Sequence, residues 1–388
     1  MSSGSFDVDL IVVGLGAMGA AVTYQAQSLG LSVLGIDRHN PPHEFGSSHA
    51  ETRITRLAVG EGPQYLPFVA RSHELWASIG ESVGTQLFHQ SGGYIITNHD
   101  GGSDDRWHDF VTATDNIARP AGIEFGTLTA ADVRAAHPAL KLTDNMRGGF
   151  EPTGGVVLCE EAVAAQLKLA SQQGARLRVN ETVGSITPDD AGVTVTTDQG
   201  RYRARHMVLA TGAWMHDLAS SQHGQQLGVT RQAVFWFEAD DLDVFRVDAM
   251  PFVIWTGDTI DDYVGLFPVP PGGTPGVKVL GEQFSVTTSP HEVDRQVSDA
   301  EVAAFYESHV APQIEGLTPN CIKRAVCLYT NTVDDHFLIE PDHRSDRIIM
   351  MSPCSGHGFK HSAALGEAVA QKVATGESDL ALNPFGWR

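Results

Sequence analysis

The stretch Asp9-Leu10-Ile11-Val12-Val13-Gly14-Leu15-Gly16-Ala17-Met18-Gly19 decides the fold. Leu10 to Val13 is an apolar run rich in β-branched residues, the pattern of a strand buried in a parallel sheet. Gly14, Gly16 and Gly19 follow at G-x-G-x-x-G spacing. Ala20 to Leu29 has helical composition with Gly30 to stop it, and Ser32 to Ile36 is a second apolar strand ending at Asp37. Strand, glycines, helix, strand and acid stand in the order of a dinucleotide-binding βαβ unit. Gly14 permits the tight turn, Gly16 lets a pyrophosphate approach the backbone, and Gly19 lets helix and strand pack closely. The helix N-terminus at Ala17 and Met18 turns N–H groups and a positive dipole end toward phosphates. Asp37 lies where a carboxylate accepts the ribose hydroxyls, which disfavours the 2′-phosphate of NADP and leaves NAD and FAD open.

The chain has 388 residues, a length suited to two interleaved domains, and 42% hydrophobic residues, enough for a sizeable core. A net charge of −21 argues against nucleic acid or an anionic membrane as partner. The lead Met1-Ser2-Ser3-Gly4-Ser5 has no basic region of a secretory signal, and no apolar run approaches membrane-spanning length, so a cytoplasmic protein is expected. Cys159, Cys321, Cys327 and Cys354 form no C-x-x-C pair, which argues against disulfides and a structural zinc.

Further along, His49, Arg53 and Arg56 crowd together, and Gln64 to Ser78 reads as an amphipathic helix. Asp104 to Ala136 is expected to be helical and partly exposed, and Glu160 to Gln173 is a helix. Gly192–Thr197 and Arg201–Ala204 read as an antiparallel pair. His206 to Ala210 reads as a separate buried strand that returns the chain to the first domain. Strands at Gln232–Glu238, Phe252–Trp255, Tyr263–Phe267 and Val277–Leu280, with Gly- and Pro-rich turns between them, predict an antiparallel sheet flooring a substrate site. Ser298-Asp299-Ala300-Glu301 is a capping-box signature before a helix over Val302–Val310. Arg347 to Met351 is a last strand, followed by Ser355-Gly356-His357-Gly358-Phe359-Lys360 and an apolar helix through Val373.

Several of these stretches together resemble the FAD-dependent amine oxidases of the monomeric sarcosine oxidase and N-methyltryptophan oxidase group. They are the glycine motif, Pro41-Pro42-His43, Gly46-Ser47-Ser48-His49, Thr52-Arg53, Gly60-Glu61-Gly62 with Tyr65, and Thr211-Gly212-Ala213-Trp214. Ala325-Val326-Cys327-Leu328-Tyr329, Asp335-His336-Phe337 and Ser355 to Lys360 complete the set. The resemblance implies an α/β chain of the glucose-oxidase-reductase-like flavoprotein fold. A Rossmann-like FAD-binding domain (1–85, 150–220 and 322–388) would be interleaved with a substrate domain built on an antiparallel sheet (86–149 and 221–321). It implies a monomeric oxidase with a small amine substrate, O₂ as acceptor and H₂O₂ as product.

The resemblance also assigns residues. Cys327 would carry FAD through a thioether, with Lys323 or Arg324 expected to help form the thiolate. Ser47, Arg53, Val183, Thr211, Gly212, Trp214, Gly356, Gly358 and Lys360 would join the glycine loop and Asp37 in holding FAD. Arg56 and Lys360 match the carboxylate-binding pair, Arg suiting a bidentate clamp and Lys a point charge. His49 and Arg53 would line the flavin face. Lys278 matches the lysine of the oxygen reaction, where a fixed cation stabilises charge forming on oxygen. Tyr263 and Tyr329 resemble the aromatic wall of the substrate pocket. The chain departs from the group at Ser48 and Ala50-Glu51, and Gln283 stands where the group has a histidine, so the identity of the amine stays open. An Amadori-type (fructosyl amino acid) or cyclic imino acid oxidase, and a dinucleotide-binding protein without turnover, remain as other readings.

Overall fold

β1 (Val8–Val13) lies between β2 (Val33–Asp37) and β12 (Arg201–Leu209) and runs parallel to both. The structure, a computed structural model, describes residues 5–98, 109–219, 226–257 and 263–386. β9 (Arg176–Val179) extends this sheet beyond β2. β10 (Val183–Pro188) and β11 (Val193–Thr197) extend it beyond β12, and β19 (Leu338–Asp342) and β20 (Ser345–Ser352) join through β20 beside β12. β1 is buried almost throughout, as its unbroken apolar run requires. Helix α1 (Ala17–Ser28) follows the glycine turn. Gly14 has φ +87°, and a Cβ there would stand 2.4 Å from the Ala210 oxygen. A Cβ on Gly19 would stand 1.7 Å from the Gly14 oxygen, so close helix–strand packing excludes any side chain.

The substrate sheet is larger and mostly antiparallel. Among the described residues it runs β17 (Thr287–Thr288), β13 (Gly228–Ala239), β16 (Val277–Gly281), β15 (Val264–Phe267), β14 (Phe252–Thr256), β5 (Gly93–Thr97), β7 (Arg147–Glu151), β6 (Gly126–Thr129). β18 (Leu317–Asn331) pairs with β13 along its length, which sets Cys327 opposite Gln232. A small third sheet, β3 (Thr52–Thr55), β8 (Gly155–Leu158) and β4 (Phe88–Gln90), carries Arg53. One core gathers Leu10, Val12, Tyr65, Trp76 and Leu365; a second, in the large sheet, gathers Phe235, Phe237, Val253 and Trp255.

Several local expectations change. Residues 201–204 and 206–210 do not form separate strands; β12 is continuous through Leu209. Nothing in Arg205-His206 breaks the chain, and β12 pairs antiparallel with β11 at its start and parallel with β1 and β20 further on. The segment expected to be helical from 104 to 136 lies partly outside the described residues. Its remainder is α3 (Phe110–Ala118), β6 and α4 (Ala130–Ala136), after α2 (Leu66–Val83). Gly122 at φ +70° follows α3, and a capping box from Thr129 to Asp132 starts α4 afresh. Ser298 and Glu301 form their capping box as expected, but the helix Asp299–Phe305 then widens into a π turn over Tyr306–Val310. A domain boundary between 321 and 322 falls inside β18, which puts Cys327 on the substrate sheet.

Candidate active site

Two cavities meet at Arg53, Tyr329, Gly356 and Phe359, which line both. The outer one encloses about 1450 Å³, open mouth included, and the inner one about 840 Å³.

The outer cavity runs along the carboxyl ends of the parallel strands, where such sheets bind ligands. Gly14, Gly16, Ala17, Met18, Asp37, Ser47, Val183, Thr211, Gly212, Trp214, Gly356 and Gly358 all line it. Gly19 does not; it sits under the turn. A Cβ on Gly16 would meet only the Ser48 hydroxyl, at 3.4 Å, so backbone is open to a ligand here. Asp37 accepts hydrogen bonds from Leu15 N–H at 2.7 Å and His39 N–H at 2.8 Å, which fixes its carboxylate beside the glycine turn. Ser48 accepts from Ala17 N–H at 3.1 Å and lines the outer cavity, so this departure does not touch the inner one.

The inner cavity is lined by the apolar Ile54, Phe110, Val234, Ile254, Phe267 and Leu280 and by several polar and charged side chains. Arg56, Tyr263, Cys327, Tyr329 and Lys360 also line it. Arg56 follows β3, and Lys360 lies in the helical turn Phe359–His361 that leads into the helix Ser362–Thr375. The sequence did not single out what joins them. Glu61 accepts from Arg56 Nη2 at 2.9 Å and from Lys360 Nζ at 3.0 Å, all three side chains being buried. Burial alone would raise the Glu61 carboxyl, but the two cations hold it well below the usual carboxylate range. Two cations and one carboxylate leave the cluster one positive charge.

Cys327 is buried, and its neighbours are not the ones expected. Lys323 pairs with Glu51 at 2.8 Å and Arg324 with Asp299 at 2.6 Å. Arg53 Nη2 instead lies 3.5 Å from Cys327 Sγ while also donating to the Ser47 oxygen at 2.6 Å. Burial would push the thiol up, but the neighbouring His49 and Arg53 outweigh it and bring it down to about 6. The reason is the strand: side chains alternate at about 3.3 Å per residue, so Arg324 faces away and Lys323 is about 13 Å off.

Lys278 and His49 are buried but line neither cavity. Lys278 Nζ donates to the Thr52 oxygen at 2.6 Å and lies 4.0 Å from the centre of the Phe267 ring, itself a wall of the inner cavity. Burial, with Arg53 nearby, lowers its ammonium to about 7. Gln283 is outside the cavity, its side chain accepting from Ala233 N–H at 3.4 Å; the neighbouring Glu282 faces in.

Among the described residues no group of three or more His, Cys, Asp or Glu side chains could hold a metal ion, and no helix is long and apolar enough to cross a membrane. Comparison with known proteins bears out the resemblance. The FAD-dependent oxidoreductase (DAO) family matches residues 9–372. The monomeric sarcosine oxidase of Streptomyces avermitilis is 34% identical over 371 residues, covering 95% of this chain and 94% of that protein. An N-methyl-L-tryptophan oxidase of Shigella sonnei is 32% identical, covering 97% and 98%. Among solved structures, NikD, an unusual amino acid oxidase essential for nikkomycin biosynthesis, superposes with a TM-score of 0.84 at 21% identity, covering 98% of each chain. Amadoriase I of Aspergillus fumigatus gives 0.77 at 18%, covering 100% of this chain and 91% of its own, a likeness of fold alone. A family match across nearly the whole chain and full-length relatives above 30% identity agree with the glycine turn and its cavity, and the chain belongs to the FAD-dependent oxidoreductases.

Proposed function

We propose that the protein is a monomeric, FAD-dependent oxidase of secondary amino acids such as sarcosine or another N-alkyl amino acid. One observation carries this reading: a largely apolar cavity has the Arg56–Glu61–Lys360 cluster in its wall and adjoins the cofactor cavity at Arg53, Tyr329, Gly356 and Phe359. The cluster's one spare positive charge matches one substrate carboxylate, and the apolar wall suits an N-alkyl group. The names of the full-length relatives support the same substrate class.

The outer cavity fits FAD, because the open backbone at Gly16 and the fixed Asp37 carboxylate suit a pyrophosphate and a ribose. Gly14, Gly16, Ala17 and Met18 would hold the pyrophosphate and Asp37 the ribose. Ser47, Arg53, Val183, Thr211, Gly212, Trp214, Gly356 and Gly358 would line the remainder, and the lowered thiol makes Cys327 the attachment point. FAD, when bound, would supply a two-electron acceptor that O₂ can reoxidise. The protein's own residues bind and orient. Arg56 and Lys360 fix the substrate carboxylate, Tyr263 and Tyr329 wall the amine, and Lys278 in its protonated form places a buried positive charge for the oxygen step.

The test is peroxide release from N-methyl amino acids, proline analogues and fructosyl amino acids. Peroxide from the N-methyl amino acids is expected; release from fructosyl compounds alone, or from none, overturns the reading. Acid precipitation of the protein should leave the yellow colour in the pellet, and Cys327→Ser should free it.

A further inference from the structure

The inner cavity holds a second buried carboxyl that the carboxylate-binding cluster does not use. Glu282 follows β16 directly, and strand alternation puts Lys278, Leu280 and Glu282 on one face. Only 8% of Glu282 is exposed, and among the described residues no lysine or arginine lies within ion-pair distance of it. Its hydrogen bond comes from the Tyr329 hydroxyl at 3.3 Å. Gly356 fixes its place: a Cβ there would lie 3.1 Å from Glu282 Oε1 and 3.1 Å from the Tyr329 ring. Gly356 and Tyr329 both line the two cavities. The carboxyl therefore stands beside Gly356 and Tyr329, where the substrate cavity meets the cofactor cavity, and forms no ion pair with Arg56 or Lys360.

We infer that Glu282 is the proton acceptor for the substrate's amine, taking one proton from the ammonium nitrogen of the bound amino acid so that its lone pair is free when the adjacent C–H bond is oxidised. The inference rests on the reading that a secondary amino acid occupies this cavity. One N–H bond breaks and one O–H bond forms, no electrons change hands, and the proton passes to solvent after the product leaves. With the carboxylate on Arg56 and Lys360, the ammonium is the group left needing a partner, and an unpaired buried carboxyl at the junction supplies it. Burial raises Glu282 to about 8; Tyr329 and Lys360 pull it down, and Glu61 and Asp335 push it up. Tyr263 and Arg56 also line the cavity it faces. A base tuned to that range can accept a proton and shed it again near neutral pH.

The experiment is anaerobic rapid mixing of the holoenzyme with an N-methyl amino acid from pH 6.5 to 10, following loss of flavin absorbance, in wild type, Glu282→Gln and Glu282→Asp. Wild type should lose about tenfold in second-order reduction rate per pH unit below about 8. Glu282→Gln must wait for free amine, about 1% of an alkylammonium of pKa near 10 at pH 8, so it should run about a hundredfold slower there and converge with wild type toward pH 10. Glu282→Asp should restore part of the rate. A gap that stays constant with pH, or no gap, overturns the inference. A second measurement is free of turnover: titration of the flavin spectrum with glycine and with methoxyacetate, which has the carboxylate but no N–H. Glu282→Gln should weaken glycine and strengthen methoxyacetate at pH 9, and equal effects on both overturn the role. If wild type is not bleached by any secondary amino acid, the substrate reading falls, and the titration decides the amine-accepting role of Glu282 by itself.

Discussion

Lys360 Nζ lies 3.0 Å from Glu61 Oε1, bridging 299 positions of sequence across the charged wall of the inner cavity. Removing Glu61 would strand Arg56 and Lys360 as buried cations. Glu61→Gln should therefore destabilise the protein by about 3–5 kcal/mol. A carboxylate ligand would replace part of the lost charge, so acetate should raise the melting temperature of Glu61→Gln more than that of wild type. Equal shifts would mean that the two cations are not open to a bound carboxylate.

Lys278 should separate the two halves of the reaction. Lys278→Met keeps length and removes the cation 4.0 Å from the Phe267 ring. Anaerobic reduction by substrate should stay within about tenfold of wild type, while the return of flavin absorbance on adding O₂ should slow by about 10² or more. Burial brings Lys278 down to about 7, so the cation is present below that pH and lost above it. Wild-type reoxidation should then slow as pH rises through about 7, and the Met variant should not follow. Collapse of reduction with reoxidation intact would move Lys278 into the substrate site.

The Asp37 carboxylate is held by the N–H groups of Leu15 and His39. Asp37→Ala should loosen FAD without changing substrate preference. Because a thioether would mask the loss, the dissociation constant for FAD belongs in the Cys327→Ser background. An unchanged constant there would remove Asp37 from the cofactor site.

The dinucleotide half of the fold was legible because its demands are local. Gly14, Gly16 and Gly19 are each required within one turn, and β1 is apolar because it is buried on both faces. The site was legible only where a single stretch carries it. Glu61 stood inside the quoted Gly60-Glu61-Gly62, but its bond to Lys360 depends on how the turn at 355–361 meets the loop after β3. Lys323 and Arg324 are close to Cys327 in sequence, whereas the thiol's partner, Arg53, comes from another sheet. The signal that would have found Glu282 instead of Gln283 was present: a period of two from Lys278 through Leu280. The likeness to the related enzymes points instead to Gln283, one position along and on the other face of the strand.

Glu282 also predicts how stability depends on pH. Its folded value of about 8 lies above the ordinary glutamate value of 4.5, so between these pH values the folded state keeps a proton that the unfolded state has lost. Its contribution is fully present below about 4.5 and is lost as pH rises through about 8. Relative to wild type, Glu282→Gln should gain stability from pH 5 to 8, by at most about 1.4 kcal/mol per unit, and level off above. Denaturant melts across that range check this; a difference independent of pH would mean Glu282 is ionised throughout.

Arg56 and Lys360 are assigned to the carboxylate of a secondary amino acid, and comparing kcat/KM for an N-methyl amino acid with that for the matching amine without its carboxylate, in wild type and Arg56→Ala, checks this. Losing one partner of a buried charge contact costs roughly 2–5 kcal/mol, or one to several orders of magnitude. The amino acid should lose that much and the plain amine little. Equal loss on both substrates would contradict the assignment.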